Sequence, residues 1–358
     1  MKHSIFAILI LLPMWAWSQY TSGFQQEYFF GNLPNARTEA MARAGVAAGE
    51  GTSNLFLNPA TLGLTEDLDA VFSTSAPFYV LQNSNYFFVG LSKRFTEKLV
   101  GAFSVHTFAV GPTTFDINFG SKRFPLDKSF STNIALSGAY ELLPGLHAGL
   151  NFNMYRWTYI DEVNAVHQGH LDGGLLYNLS LDPGNAQSKN LRIGASVSNF
   201  TSSDITFFSP ENDSSTQEFP IVLRLGGAYQ VATDINYPVV GSGPFAFTAT
   251  VEYQNVLNNN FRTAFQVGTE AVLYDVLAVR LGGFTRSEDD GGRSDVNFDR
   301  INDVTYGFGF KVPLSELSDG KIPGQLWIDY ASLEPPPTST LGGRKPNFRT
   351  FTIRLVLN

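Results

Sequence analysis

The sequence predicts an all-β fold: a transmembrane antiparallel β-barrel of about fourteen strands, preceded by an N-terminal plug (hatch) segment. Three observations predict it. Apolar and polar residues alternate with period two over most of the chain after residue 66. Tight turns and long polar loops alternate along the order of strands. The chain opens on a stretch that reads as a secretory leader.

The composition agrees with that class. The 358 residues carry a formal net charge of −8, and only 16% are charged, against about 25% in ordinary soluble domains. Aromatics reach 14%, with 31 Phe and 14 Tyr. No cysteine is present, which excludes disulfides, thiolate chemistry and a lipidated N-terminal Cys. The acidic balance, with no basic run interleaved with aromatics, argues against nucleic acid.

Residues 1–18 read as a signal peptide. Lys2 supplies a short positive start, Ile5 to Trp17 is apolar, and Ala16-Trp17-Ser18 fits a small-x-small cleavage site. The run is too short for a membrane anchor, which needs about 20 apolar residues. Residues 19–66 form the expected hatch segment and residues 67–358 the barrel.

Strand candidates follow at 68–79, 84–95, 97–109, 130–141, 145–160, 168–181, 190–200, 220–231, 244–256, 260–273, 276–287, 303–313, 324–332 and 346–357. In the last of these, Phe351, Ile353, Leu355 and Leu357 alternate with Thr352, Arg354 and Val356. Residues 113–121 are expected in a loop. "FTEK" (95–98), "LLPG" (142–145) and "LYDV" (273–276) are tight turns, while 110–129, 201–219 and 287–303 are long loops. With 68–79 as an outward strand, the three tight turns lie on the periplasmic side and the three loops outside, as in bacterial outer-membrane barrels. A soluble sandwich or propeller also alternates. Here, though, large apolar residues run nearly to the end of each strand, the other face is polar and Gly-rich, and no blade-length repeat appears.

A barrel of this size has an interior that its wall side chains cannot fill. "GVAAGEGTSNLFLNPATLGL", residues 45–64, stands just before the first strand and can fold back inside. Gly45, Gly49 and Gly51 permit close backbone approach. Asn58 can satisfy local backbone groups while Pro59 sets the turn into Ala60.

The same stretch resembles the N-terminal hatch of the FadL superfamily, in particular its PorV/PorQ-like branch, whose Gly-rich segment ends in Asn-Pro-Ala. Further similar stretches follow in order: "IGASVSNF" (193–200), "PIVLRLGGAYQV" (220–231), "GTEAVLYDVLAVRLGGF" (268–284), "TYGFGF" (305–310) and "WIDYA" (327–331). The resemblance implies a fourteen-stranded barrel in the outer membrane of a Gram-negative bacterium. It leaves two roles open: transport of hydrophobic compounds, or an accessory part in type IX protein secretion.

The residues give little sign of catalysis. There is no Gly-x-Ser-x-Gly elbow, and Ser196 and Ser198 have no assigned His partner. His167 and His170 would need a turn to share a metal, since i and i+3 face opposite sides of a strand. The loop 287–303, with Glu288, Asp289, Asp290, Asp295, Asp299 and Asp303, lacks EF-hand spacing. No catalytic residue, cofactor or metal is expected. Arg192, Arg224, Arg280, Lys311 and Arg354 share the polar face with Asp172, Glu252, Glu270 and Asp329. Toward lipid each charge would cost about 2–4 kcal/mol at the midplane, so they belong in the lumen, as a network bracing the plug or as a polar gate on a ligand path. Glu270 and Arg280 meet if the "LYDV" turn carries a one-residue bulge, and Asn58 is expected beside them. The expected partners are outer-membrane lipid and either a small hydrophobic ligand or secretion-system proteins.

Overall fold

The computed structural model describes residues 35–76, 84–110, 116–119, 122–125, 129–160, 163–164, 168–181, 188–201, 205–208, 214–217, 220–237, 241–257, 263–286, 301–318, 321–333 and 348–357. The expected signal peptide, the first part of the expected hatch, His167 and most of the acidic loop at 287–303 lie outside these residues.

Fourteen strands form the wall: β1 (Leu68–Ala76), β2 (Ser84–Arg94), β3 (Leu99–Val110), β4 (Ser129–Leu143), β5 (Leu146–Ile160), β6 (Gln168–Ser180), β7 (Ser188–Ser198), β8 (Val222–Tyr237), β9 (Gly241–Val256), β10 (Ala264–Leu273), β11 (Leu277–Arg286), β12 (Ile301–Pro313), β13 (Gly324–Leu333) and β14 (Phe348–Leu357). Each pairs antiparallel with its sequence neighbour, and β1 pairs with β14 from Leu68↔Leu357 to Ala76↔Arg349, which closes the barrel. A two-residue stub, Val163–Asn164, rides on β5. The stretch 113–121, expected as loop, contributes Asp116–Phe119 to a small ribbon with Lys122–Pro125 that is separate from the barrel sheet.

Alternation decides what each face meets. Leu136, Leu150, Ile193 and Leu281 point outward and are more than half exposed, a lipid-facing band. Their neighbours Ala135, Asn151, Arg192 and Arg280 point inward and are buried. Closure leaves no sheet edge, so every wall strand has ladder partners on both sides, the condition for crossing a bilayer with strands.

Strand direction puts the tight turns 95–98, 144–145 and 274–276 at one end, the turn end, and the long connections at the other, the loop end. β8 runs further than its sequence pattern suggested, to Tyr237. Thr233 and Ile235 still alternate with Asp234 and Asn236 in sequence, but that alternation is too weakly apolar to mark the strand's end.

Candidate functional site

Residues 35–66 lie across the lumen. Asn35 caps a short helix, α1 (Ala36–Ala40), with its side-chain oxygen accepting from Thr38 N–H. A 3-10 turn spans Gly51–Asn54, and a second one spans Pro59–Leu64 with Pro at its start. Asn58 caps the second turn by accepting from Ala60 N–H at 3.0 Å, which satisfies a backbone donor that the helix start leaves free.

The segment reaches every strand of the wall. Ala36 N–H donates to Thr352 on β14, Ala42 N–H to Thr305 on β12, and Val46 N–H to Glu252 on β9. Arg37 reaches Glu270 on β10, and Ala42 packs on β11 at Gly282. Ala36 and Ala40 pack on Ala331 of β13, and Val46 on Ala228 of β8. Leu55 O accepts from Asn151 on β5, Leu57 O accepts from Ser196 on β7, and Asn58 donates to Leu175 O on β6. Leu55 and Leu62 pack on Val100 of β3 and Ala139 of β4. Thr52 bonds Asp69 on β1 and Ser92 on β2.

Wall glycines make that approach close. A Cβ on Gly194 would stand 2.2 Å from Val46 O, and one on Gly149 would stand 2.3 Å from the Pro59 carbonyl carbon. Inside the segment, Gly51 sits at φ +61, where a Cβ would also run 2.0 Å from Asp69 Oδ2. Gly49 leaves room for the Asn54 carboxamide, and Gly45 for Leu57.

The expected lumen charges face inward and resolve into separate groups rather than one network. Arg37 forks onto Glu270 with bonds of 2.8 and 2.9 Å; Arg280 donates to Glu270 and to Asp329, both at 2.6 Å. Arg192 donates to Glu50 at 2.9 Å. Arg224 faces Glu252 at 3.7 Å and donates to Ser198. Arg354 holds Asp69 at 2.9 Å, and Lys311 holds Asp275 in the β10–β11 turn at 2.6 Å. Asp172 accepts from Asn153 and from Asn199 N–H, both at 2.8 Å.

Glu270 and Arg280 are direct partners in the β10–β11 ladder. Val276 N–H donates to Leu273 O, and pairing then resumes at Leu273↔Leu277, so Val276 is the extra residue. Asn58 is not their companion. It donates to Val46 O and Leu175 O, against β6, and Arg37 takes the place expected for it. The sequence gives no sign of the roles of Arg37, Glu50 and Asp69: the first two stand outside the alternating runs, and Asp69 is the second residue of β1, at the edge of its run. Arg37 is twelve residues before Gly49 in a stretch without strand period, which leaves no pattern to assign its direction.

Above the segment, toward the loop end, the inward faces of β2 and β3 are aromatic. Phe56 from the segment meets Phe88 at 5.5 Å between ring centroids and His106 at 5.2 Å; Tyr86 meets His106 at 4.5 Å and Phe108 at 5.2 Å. His170, inward on β6, stacks on Tyr155 at 4.3 Å. Below the segment, at the turn end, lies a cavity of about 300 Å³ lined by Arg37, Glu50, Thr65, Gln230, Lys311 and Trp327 among others. Among the described residues no cluster of three His, Cys, Asp or Glu is placed to hold a metal.

Fold and site together define a closed fourteen-stranded transmembrane β-barrel whose lumen is crossed by its own N-terminal segment. No family model matches the chain, and no curated protein matches it. Among solved structures it is similar to the P. putida toluene transporter TodX, at 10% identity and a TM-score of 0.44 over 91% of this chain and 99% of that one. It is also similar to the Ralstonia pickettii toluene transporter TbuX, at 12% and 0.44 over 92% and 100%. A Pseudomonas aeruginosa FadL homologue stands at 13% and 0.41 over 90% and 98%.

Proposed function

We infer that the protein is an outer-membrane barrel of a Gram-negative bacterium that admits small hydrophobic compounds, with residues 19–66 as its plug and residues 1–18 as a cleaved leader. On this reading the loop end is extracellular and the turn end periplasmic. The observation that carries it is the aromatic patch of Phe56, Tyr86, Phe88 and Phe108 inside a lumen that also buries many charged and polar side chains. Small hydrated ions gain little from such a lining. An apolar solute that reaches it from outside sheds water-exposed area worth roughly 25 cal/mol per Å². The patch lies between the loops and the segment, on the side from which such a solute would enter.

The test is uptake of N-phenyl-1-naphthylamine by cells that depend on this protein for its entry. Phe88→Asp places an unpaired charge in the patch, and uptake falls about tenfold or more. Arg224→Gln, on the far wall, leaves it within twofold or so, as a change distant from the patch should. Uptake equal to that of cells lacking the protein contradicts the reading. If secretion-system proteins then co-purify with it from mild detergent, the docking role takes its place.

A further inference from the structure

Transport through this barrel needs an opening, and the described wall offers none: at the level of the segment every strand is laddered to both neighbours. The opening therefore has to come from the segment. We propose that the Gly51–Asn54 turn is the gate, and that the solute passes down the inward face of β2. This rests on the reading above.

The inward residues of β2, from the loop end to the turn end, are Tyr86, Phe88, Gly90, Ser92 and Arg94. The aromatic patch occupies the first two. Thr52 occupies the notch at Gly90, where a Cβ would meet Thr52 Cγ2 at 2.5 Å. Directly below, Thr52 Oγ1 donates to Ser92 Oγ at 2.6 Å, and Thr65 Oγ1 meets the same oxygen at 3.3 Å. Ser53, Thr65 and Glu66 already line the cavity at the turn end. One turn of chain thus separates the apolar patch from the cavity.

The turn is also the part of the segment best suited to move. The turn carries no charged side chain of its own, whereas the chain on either side is pinned to the wall by Arg37 on Glu270 before it and by Arg94 after it. Against β2 it is held by hydroxyl side chains, and against β1 by the Asp69 carboxylate, which Arg354 keeps in place after the turn leaves. Gly51, at φ +61, and Gly49 flank its start and tolerate backbone changes that other residues resist. Below the gate, Arg94 donates to the carbonyls of Gly63, Thr65 and Glu66 and anchors the segment's end. The turn can lift while both flanks stay seated.

Because the chain has no cysteine, Thr52→Cys with Ser92→Cys introduces a single candidate disulfide across the gate. The oxygens these sulfurs replace are 2.6 Å apart, close to an S–S bond of about 2.05 Å. Two readouts are taken on the full chain. The first is N-phenyl-1-naphthylamine uptake by cells; the second is small-ion conductance in planar bilayers, which needs no hydrophobic ligand. Thr52→Ala with Ser92→Ala removes the hydroxyl bonds and raises conductance about tenfold, as two lost hydrogen bonds shift a closed–open equilibrium. The oxidised double-cysteine protein stays at the closed level and takes up probe at least about tenfold more slowly than its reduced form. A wall disulfide from Ser75→Cys with Thr350→Cys, whose oxygens are 2.8 Å apart, leaves both readouts unchanged on oxidation. Conductance and uptake indifferent to the gate disulfide overturn the proposal. Conductance that responds to the disulfide while no form takes up the probe leaves the gate standing and removes the transport reading.

Discussion

Arg37 is the residue that ties the segment most firmly to the wall. Glu270, Arg280 and Asp329 leave the wall one negative charge in excess, and the Arg37 fork neutralises it while Nη1 donates to Ala48 O across the segment. A buried charge group that loses one partner is costly, but Glu270 keeps Arg280. Arg37→Gln should therefore loosen the segment by about 1–3 kcal/mol rather than unfold the barrel. Arg37→Gln combined with Glu270→Gln should cost less than the two separately. Protease cleavage within residues 35–50, with the barrel's unfolding followed in parallel, checks both outcomes.

Glu50 is the matching negative pin, seated on Arg192. Burial alone would raise its carboxyl, but Arg192, Arg37 and Arg354 outweigh that and hold it at about 2, below the ordinary 4.5. A carboxyl lowered in the docked state stabilises docking fully above its ordinary value and loses that contribution as pH falls toward the docked one. The segment should therefore stay docked at pH 5 and loosen between pH 4.5 and 2. About a third of the side chain is open to solvent, so the effect is modest. Glu50→Gln should weaken that pH dependence in the same cleavage assay.

At the scale of elements, the strands were legible because period two survives wherever one face meets lipid and the other the lumen. β14 shows it: Thr350 and Thr352 are buried inside, while Phe351 faces out. Ile353→Arg should cost roughly 2–4 kcal/mol in barrel stability near the midplane, and Arg354→Gln less, with the urea midpoint as measurement. The β10–β11 register was legible from its turn residues once the Val276 bulge was allowed. The lumen groupings were not. Alternation says which residues point inward, but which inward residues meet depends on how a strandless segment crosses the lumen. Among the described residues, that segment's path follows glycine notches on eight different strands, and no local pattern records them. Asn58 illustrates the limit: its turn-capping role follows from Asn-Pro-Ala, whereas its seat on Leu175 of β6 does not.

At the scale of the whole molecule, the barrel and its filling are built differently. The wall satisfies its backbone through closed ladders and has no need of the segment for that. The segment has little regular structure and takes its order from the wall. We propose that this layer, in touch with all fourteen strands, keeps the lumen closed. Conductance of a barrel lacking residues 20–64, reconstituted in a planar bilayer beside the full chain, tests it most directly. The shortened protein is expected to fold and to pass a steady ionic current where the full chain is nearly silent. A folded, inserted barrel that stays silent without residues 20–64 would contradict it and place the closure in the wall or the loops.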